Sequence, residues 1–366
     1  MYKIVQVVPA LGWGGAQVFC VQLCNALVKK NGYDVTLISM YDHVPGKHLP
    51  LSMLDDRVNF ISLGKRKNID LRIFSRMYKK IKSLKPDVVH THLHAVYYCL
   101  PAYLKLKYSY KKIHTLHNIA IKDAPWKGRK LLAYFFKKNI IEAVSISEEI
   151  YKSAVNEYGT CIKILIHNGA EQITASAAFK ETVIKINSFK KNDATRVLLN
   201  VGRICRQKNQ NLLLEVMNAL RNENIIAIVL GNYTSKKMYD KLIAHKTGNI
   251  FFEGNVENVG DYLLCADAFV LTSLFEGLPV SLLEALSAGI VPICTAVGGV
   301  KDVVTKNIGF LSTSVTKNAY LNALKSYLEK DKQTINHLKT NAKELYIKKF
   351  SMELCASKYE TLYHHK

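Results

Sequence analysis

Residues 272–289 read T-S-L-F-E-G-L-P-V-S-L-L-E-A-L-S-A-G, and they follow the apolar run A-F-V-L at 268–271. That run has the length and composition of a parallel strand buried on both faces. After it come a glycine-containing turn, Pro279 and a segment with apolar residues at helical spacing. Proline suits the first helical turn, where its missing N–H leaves nothing unsatisfied. Gly289 stands where such a helix would stop. The stretch is therefore strand, tight loop, helix, with the helix N-terminus at the C-terminal edge of the strand. Such a terminus offers unpaired N–H groups and a partial positive charge, which suit a diphosphate. Glu276 precedes the helix and Glu284 lies in its second turn. At ~1.5 Å per helical residue, Glu284 is roughly 7–8 Å further along the axis than the residues nearest the turn. The two carboxylates can then reach opposite sides of a bound diphosphate. Taken alone, they also fit a capping residue and a solvated helix residue.

The rest of the chain repeats the pattern. With 366 residues it is too long for one ordinary core, so two domains are expected. Residues 3–8 form an apolar run, then P-A-L-G-W-G-G-A-Q at 9–17, then an apolar-periodic helix to about residue 30. The glycines of that loop, Gly14 and Gly15 among them, let backbone approach a ligand ahead of a helix N-terminus. Strands are expected at 34–40, 58–61, 87–91, 112–117, 142–145 and 161–166, with helices near 71–84, 95–106, 131–138 and 148–157. Residues 172–192 lose the pattern and read as the linker. A second series of strands follows at 197–201, 225–230, 250–252, 268–271 and 290–293. Alternation of this kind implies parallel sheets covered on both faces, with ligands at the C-terminal strand ends. An amphipathic segment, 351–363, closes the chain.

Several polar groups fall at those strand ends. His90, His92 and His94 alternate along one strand; no acidic or thiol ligand stands beside them, so they are expected to line a cleft or stop the strand, not to bind metal. His114 and His117 close the next strand in I-H-T-L-H-N. In the second half, G-R-I-C-R-Q-K-N at 202–209 brackets a helix start with Arg203 and Lys208, with Arg206 between them. Cations are disfavoured there electrostatically, and a local rule broken in this way points to function. Arginine grips a phosphate in two-pronged fashion and lysine adds a mobile point charge.

Charge and cysteine usage bound the setting. The net charge is +22, and residues 65–138 hold 19 Lys/Arg against 3 Asp/Glu, a net +16 in that stretch alone. A polyanionic partner fits this, either an anionic membrane or a nucleic acid. Residues 126–141, W-K-G-R-K-L-L-A-Y-F-F-K-K-N-I-I, mix cations with Trp126, Tyr134, Phe135 and Phe136. That composition fits an interfacial membrane helix and, equally, a buried helix with a basic outer face. No run approaches the ~20 apolar residues of a membrane-spanning helix. The first residues read directly as strand, so no signal peptide is expected. The eight cysteines form no C-x-x-C pair, and Cys20, Cys265 and Cys294 lie among apolar residues, as reduced core thiols of a cytosolic protein would.

The E-x7-E pair, Glu276 and Glu284, resembles the signature of retaining glycosyltransferase family 4. G-R-x-x-x-x-K resembles that family's diphosphate-binding pair, the T-x-H element its sugar-facing histidine, and G-G-A-Q its G-G-A-E loop, with Gln17 replacing the acidic residue. A-V-S-I-S at 143–147, I-H-N-G-A-E at 166–171 and G-N-V at 254–256 also resemble family blocks. The resemblance implies an α/β fold of the GT-B class, two Rossmann-like domains with parallel sheets facing a central cleft. It places an acceptor-side domain at 1–175, a nucleotide-sugar domain at 193–350 and a final helix at 351–366 crossing back to the first domain. It implies His117, Arg203, Lys208 and Glu276 as catalytic. Gly14, Gly15, Asn255, Val256, Gly277, Leu278, Pro279, Val280 and Glu284 would bind the donor. No metal or other cofactor is implied. The expected reaction moves a hexose or N-acetylhexosamine, with retention, from a nucleotide diphosphate sugar such as a UDP-sugar. The expected acceptor is a polyprenyl-diphosphate-linked saccharide of bacterial O-antigen, capsule or related surface glycans. The enzyme would be cytoplasmic, held on the inner face of the membrane by its anionic surface. A GT-B sugar-nucleotide epimerase and a soluble transferase with a small acceptor remain open. A nucleic-acid-binding protein would account for the charge but not for the paired motifs, and the aromatic stacking pattern of such modules is missing.

Overall fold

The structure is a computed structural model that describes residues 1–68, 70–106 and 110–365. Lys107, part of the basic stretch, lies outside them. The chain forms two compact units, residues 1–169 with 352–366, and residues 170–351.

The first unit carries a seven-stranded parallel sheet of β1 (Tyr2–Val8), β2 (Tyr33–Ser39), β3 (Asn59–Ser62), β4 (Val88–His92), β5 (Lys111–Leu116), β6 (Glu142–Ser145) and β7 (Ile164–Leu165), in the order β3-β2-β1-β4-β5-β6-β7. The second unit carries six parallel strands: β8 (Arg196–Val201), β9 (Ile225–Leu230), β10 (Ile250–Gly254), β11 (Ala268–Leu271), β12 (Val291–Thr295) and β13 (Phe310–Ser312). Their order is β10-β9-β8-β11-β12-β13. Both sheets follow the doubly wound plan, in which the strand order reverses beside the first strand. That reversal falls between β1 and β4 in one unit and between β8 and β11 in the other. The central strands are wholly buried, as in β9, I-I-A-I-V-L, and β11, A-F-V-L, because helices cover both faces.

The linker expected at 172–192 is not a linker. Helix Phe179–Phe189 occupies most of it, buries Thr182 and Ile186 and packs on helix Val259–Cys265. Its other apolar residues, Phe179, Val183, Ile184 and Phe189, are half-buried or exposed, so no clean apolar stripe marked the helix in the sequence. The second unit accordingly begins near 170, not at 193. Helix Met352–His364 packs on helix Gly15–Val28 and is part of the first unit. It buries Met352, Cys355, Ala356, Tyr359 and Tyr363.

The helix after β11 spans Val280–Ser287, with Pro279 as its N-cap, one residue before the position expected. It ends in a Schellman turn. Ile290 N–H donates to the Ala285 carbonyl and Gly289 N–H to that of Leu286. Gly289 adopts φ +68°, a left-handed conformation that glycine takes without steric cost. All eight cysteines are free; Cys20 and Cys294 are buried, but Cys265 is only half-buried.

Candidate active site

In the second unit the sequence places two loops side by side. One follows β8 and carries Arg203 and Lys208; the other follows β11 and carries Glu276. Because β8 and β11 are neighbours across the reversal of strand order, their C-terminal loops must meet. They are zipped together by Leu274 N–H donating to the Gln207 carbonyl (2.8 Å), Gln207 Nε2 to the Phe275 carbonyl (3.0 Å) and Thr272 Oγ1 to the Lys208 carbonyl (3.1 Å).

Lys208 Nζ then lies 2.7 Å from Glu276 Oε1. Ser273 Oγ donates to the same oxygen at 2.5 Å. Both charged side chains are largely buried, with 16% and 6% of their surface exposed. Burial at that level makes each the necessary partner of the other. The repulsion expected between Lys208 and the helix N-terminus is thereby offset by a carboxylate 68 residues away in the chain. Glu276 Oε2 has no protein partner among the described residues. Arg203 and Arg206 are exposed.

A third loop, after β12, closes on the first two. Gly299 N–H donates to the Gly277 carbonyl at 2.8 Å. Gly298, at φ +54°, lies so close that a Cβ there would collide with the Glu276 backbone carbonyl. Gly277, Leu278, Pro279 and Val280 are buried. The amides of Val280 and Ser281 have no hydrogen-bond partner among the described residues, as the first turn of a helix requires. Glu284 is half-buried one turn further on. Asn255 accepts the Asn232 N–H at 2.8 Å through Oδ1, and Val256 beside it is half-buried. Arg203, Lys208, Glu276 and the helix start thus gather at one end of the second sheet. The Gly298-Gly299 pair is legible in the sequence as a turn, whereas Ser273 and the bridging Gln207 carried no sequence signal as single residues.

In the first unit Gly14 caps helix Gly15–Val28 and Gly15 opens it. Phe19 of that helix packs against His117, with ring centroids 5.9 Å apart. His117 follows β5 directly and is half-buried. Burial holds its pKa down at about 3, so the ring is neutral near pH 7. His114 cannot face a ligand. It is buried, its Nδ1 is 3.1 Å from the Thr91 carbonyl, and it stacks on Phe136. His90 and His92 do not line an open surface either. Both are fully buried, and desolvation holds each well below the usual imidazole range. Their partners are the Tyr363 hydroxyl, Thr115, Gln6 and His117. The polar Gln6 inside the apolar β1 was the one sequence sign of this network, since a buried amide demands partners. His94 is exposed past the end of β4. Burial pushes the Asp123 carboxyl up to about 7, against the opposing pull of the His117 and Asn118 backbone N–H groups.

The basic helix is narrower than its sequence implied. Helix Trp126–Lys137 buries Leu132, Phe135 and Phe136, so the two phenylalanines belong to the core. Arg129 is tied to Glu157 at 2.7 Å and to the Ala124 carbonyl. What stays exposed is one stripe: Trp126, Lys127, Lys130, Leu131, Tyr134, Lys137 and Lys138. Lys130 stands 4.0 Å over the Trp126 ring. Elsewhere in the basic stretch Lys65 is buried against the Tyr41 hydroxyl and the Asn68 carbonyl, and Lys111 pairs with Glu142. Among the described residues no helix is long and apolar enough to cross a membrane.

Comparison with known proteins follows the same division of the chain. The family described as Glycosyltransferase Family 4 matches residues 13–171, and that described as Glycosyl transferases group 1 matches residues 182–345. The Escherichia coli UDP-Gal:alpha-D-GlcNAc-diphosphoundecaprenol alpha-1,3-galactosyltransferase is 26% identical over 80% of this chain and 79% of its own. The Staphylococcus aureus capsular polysaccharide biosynthesis glycosyltransferase CapH is 28% identical over 78% of this chain and 79% of its own. Among solved structures, Anabaena HepE in complex with UDP and glucose superposes with a TM-score of 0.82 at 15% identity, covering 100% of both chains. With its two halves matched by these two families and its two parallel-sheet units built on the same plan, this chain is a GT-B glycosyltransferase of family 4, an enzyme that transfers a sugar.

Proposed function

We propose that the enzyme transfers a hexose or N-acetylhexosamine, with retention, from a UDP-sugar to a polyprenyl-diphosphate-linked saccharide in bacterial surface-glycan assembly. The observation that carries the donor half is the Lys208–Glu276 pair beside the free amides of Val280 and Ser281. The amides and the helix N-terminus receive the diphosphate. Lys208 and the exposed Arg203 neutralise the charge that grows on it as the glycosidic bond breaks, commonly the largest catalytic term. They do the work a divalent metal does elsewhere, so no metal is required. Glu276, pinned through Oε1, keeps Oε2 for a sugar hydroxyl. Glu284 bonds the ribose, Asn255 and Val256 flank the base, and His117 and the Gly14-Gly15 loop meet the transferred sugar. With no second carboxylate placed as a nucleophile, the leaving phosphate itself takes the acceptor proton on the same face.

The acceptor half rests on the exposed stripe of helix Trp126–Lys137 and on relatives whose names specify a diphosphoundecaprenol acceptor or capsular polysaccharide. Each Lys near an anionic surface contributes ~1 kcal/mol, and the aromatic rings add apolar burial. The enzyme therefore sits on the cytoplasmic face of the membrane, reversibly. Two measurements test this. A panel of nucleotide sugars with lipid-linked and water-soluble acceptors, run with and without EDTA, should give EDTA-resistant transfer to the lipid-linked one. Donor epimerised without acceptor, or transfer only to a small acceptor, refutes it. Liposome flotation should require anionic lipid and weaken as salt rises. Changing Lys127, Lys130, Lys137 and Lys138 to Gln should abolish it.

A further inference from the structure

The buried polar groups of the first unit form one continuous line. Tyr359 OH is 3.0 Å from Thr115 Oγ1, which is 2.7 Å from His90 Nε2. His90 Nδ1 is 2.8 Å from Tyr363 OH, and Gln6 Nε2 donates to that hydroxyl at 2.9 Å. Gln6 Oε1 is 2.9 Å from His92 Nε2, and His92 Nδ1 is 2.9 Å from His117 Nε2. The line runs from the last helix, through β1, β4 and β5, to a half-buried ring at a strand end. Apart from His117, every one of these residues is buried.

A line of this kind has a direction. A neutral imidazole has one N–H and one bare nitrogen, so a donor on one side fixes an acceptor on the other. All three rings in the line are held neutral by burial. Gln6 presents its carbonyl oxygen to His92, so His92 carries its proton on Nε2 and is bare at Nδ1. His117 must then donate to it from Nε2. That leaves Nδ1 of His117 as a bare acceptor with no protein partner among the described residues. With Gln6 Nε2 donating to the Tyr363 hydroxyl, that hydroxyl has its own proton for His90 Nδ1, and turning the amide over would require every donor in the line to reverse.

We propose that Tyr363, Gln6 and His92 are positioning residues that lock His117 in the Nε2–H tautomer, presenting Nδ1 as an acceptor for a substrate hydroxyl. The lock is a property of the first unit itself; its catalytic use rests on the role assigned to His117 above. The last helix then does more than pack, because its Tyr363 hydroxyl couples the Gln6 amide to His90.

Nitrogen-15 correlation spectra of histidine-labelled protein read tautomers directly and need no substrate. In the wild type His117 should show a protonated Nε2 and a bare Nδ1 as a single species. Tyr363→Phe frees Gln6 to turn over, and His117 should become a mixture of tautomers. Should that variant fail to fold, Gln6→Met removes the acceptor for His92 and should have the same effect. The opposite tautomer or a mixture in the wild type overturns the lock, as does an unchanged His117 in a folded variant. Turnover gives the separate readout. With the tautomers mixed about evenly, only about half of the molecules present a bare Nδ1, so kcat should fall roughly 2-fold at unchanged donor KM. A mixed tautomer with normal kcat keeps the lock and removes His117 from catalysis.

Discussion

Lys208 and Glu276 are each other's counter-ion, which makes substitution of the site cations unequal. Arg203 is exposed and anchors nothing. Arg203→Ala should lower transfer by ~10²-fold, as loss of one charge-stabilising donor does, and leave the unfolding midpoint unchanged. Lys208→Ala should lower transfer at least as much, but it also strands the Glu276 carboxylate in a site with 6% of its surface exposed. Breaking such a pair from one side costs about 3 kcal/mol. Parallel urea melts and transfer assays separate the two variants; equal melts would mean that the pair is not structural. Glu276→Gln should lower kcat chiefly, whereas Glu284→Ala should weaken affinity for the nucleoside diphosphate, measured by titration. Unchanged affinity removes Glu284 from the ribose. The motifs at 203–208 and 276–284 could be read from sequence because each is local: a strand, a few residues and a helix start. Their joining could not, because 68 residues separate Lys208 from Glu276. The histidine line was less legible still, since Gln6 and Tyr363 are 357 residues apart. Histidines alternating on a strand indicate one face; only the strand order and the returning helix show that this face is closed.

The helices divide between those that periodicity exposed and those that it misjudged. Helix Val280–Ser287 was marked by a proline before it and a glycine after it, and both do what their backbone permits. Helix Trp126–Lys137 was visible as an element, but its composition could not say which aromatics face inward; Phe135 and Phe136 do, and Trp126 and Tyr134 do not. Helix Phe179–Phe189 was missed because two buried side chains are too few to stand out. The two left-handed glycines near the site differ in a way that can be measured. At Gly289 an added Cβ meets its nearest neighbour, the Lys339 carbonyl, at 3.7 Å, an ordinary contact. Gly289→Ala should cost only the left-handed backbone strain, about 1 kcal/mol. At Gly298 the same strain adds to a collision with the Glu276 carbonyl. Gly298→Ala should therefore destabilise more than Gly289→Ala and also displace Glu276, cutting donor affinity, while Gly289→Ala leaves affinity intact. Equal affinity in the two purified variants would mean that the β12 loop does not hold Glu276 in place.

Acid should act on this protein through the first unit. His90, His92, His114 and His117 all lie there, and burial lowers all four from the ordinary 6.5, His114 to about 4 and His117 to about 3. A histidine neutral in the fold but free to charge when unfolded makes the unfolded chain bind more protons below pH 6.5. Stability is then complete above that pH and is lost as pH falls toward the folded values. Asp123 works the other way. Its raised pKa, about 7 against 3.8, means that the folded state holds the extra proton, so this one group adds stability as pH falls through 7. Four groups oppose one. Each fully expressed proton difference changes stability by about 1.4 kcal/mol per pH unit, so the net loss between pH 6.5 and 5 should reach roughly 2 kcal/mol or more per unit. Urea midpoints at pH 5, 6, 7 and 8 read this slope. His114→Asn removes one contributor that makes no hydrogen bond in the line to His117 and belongs to neither donor loop, and it should flatten the acid limb by about one proton. Asp123→Asn should raise the midpoint at pH 8 and leave it nearly unchanged at pH 4, where the native carboxyl is already protonated. A wild-type midpoint constant from pH 7 to 5 would mean that the buried histidines take up protons in the folded state, and that the neutral rings on which the tautomer lock depends are absent.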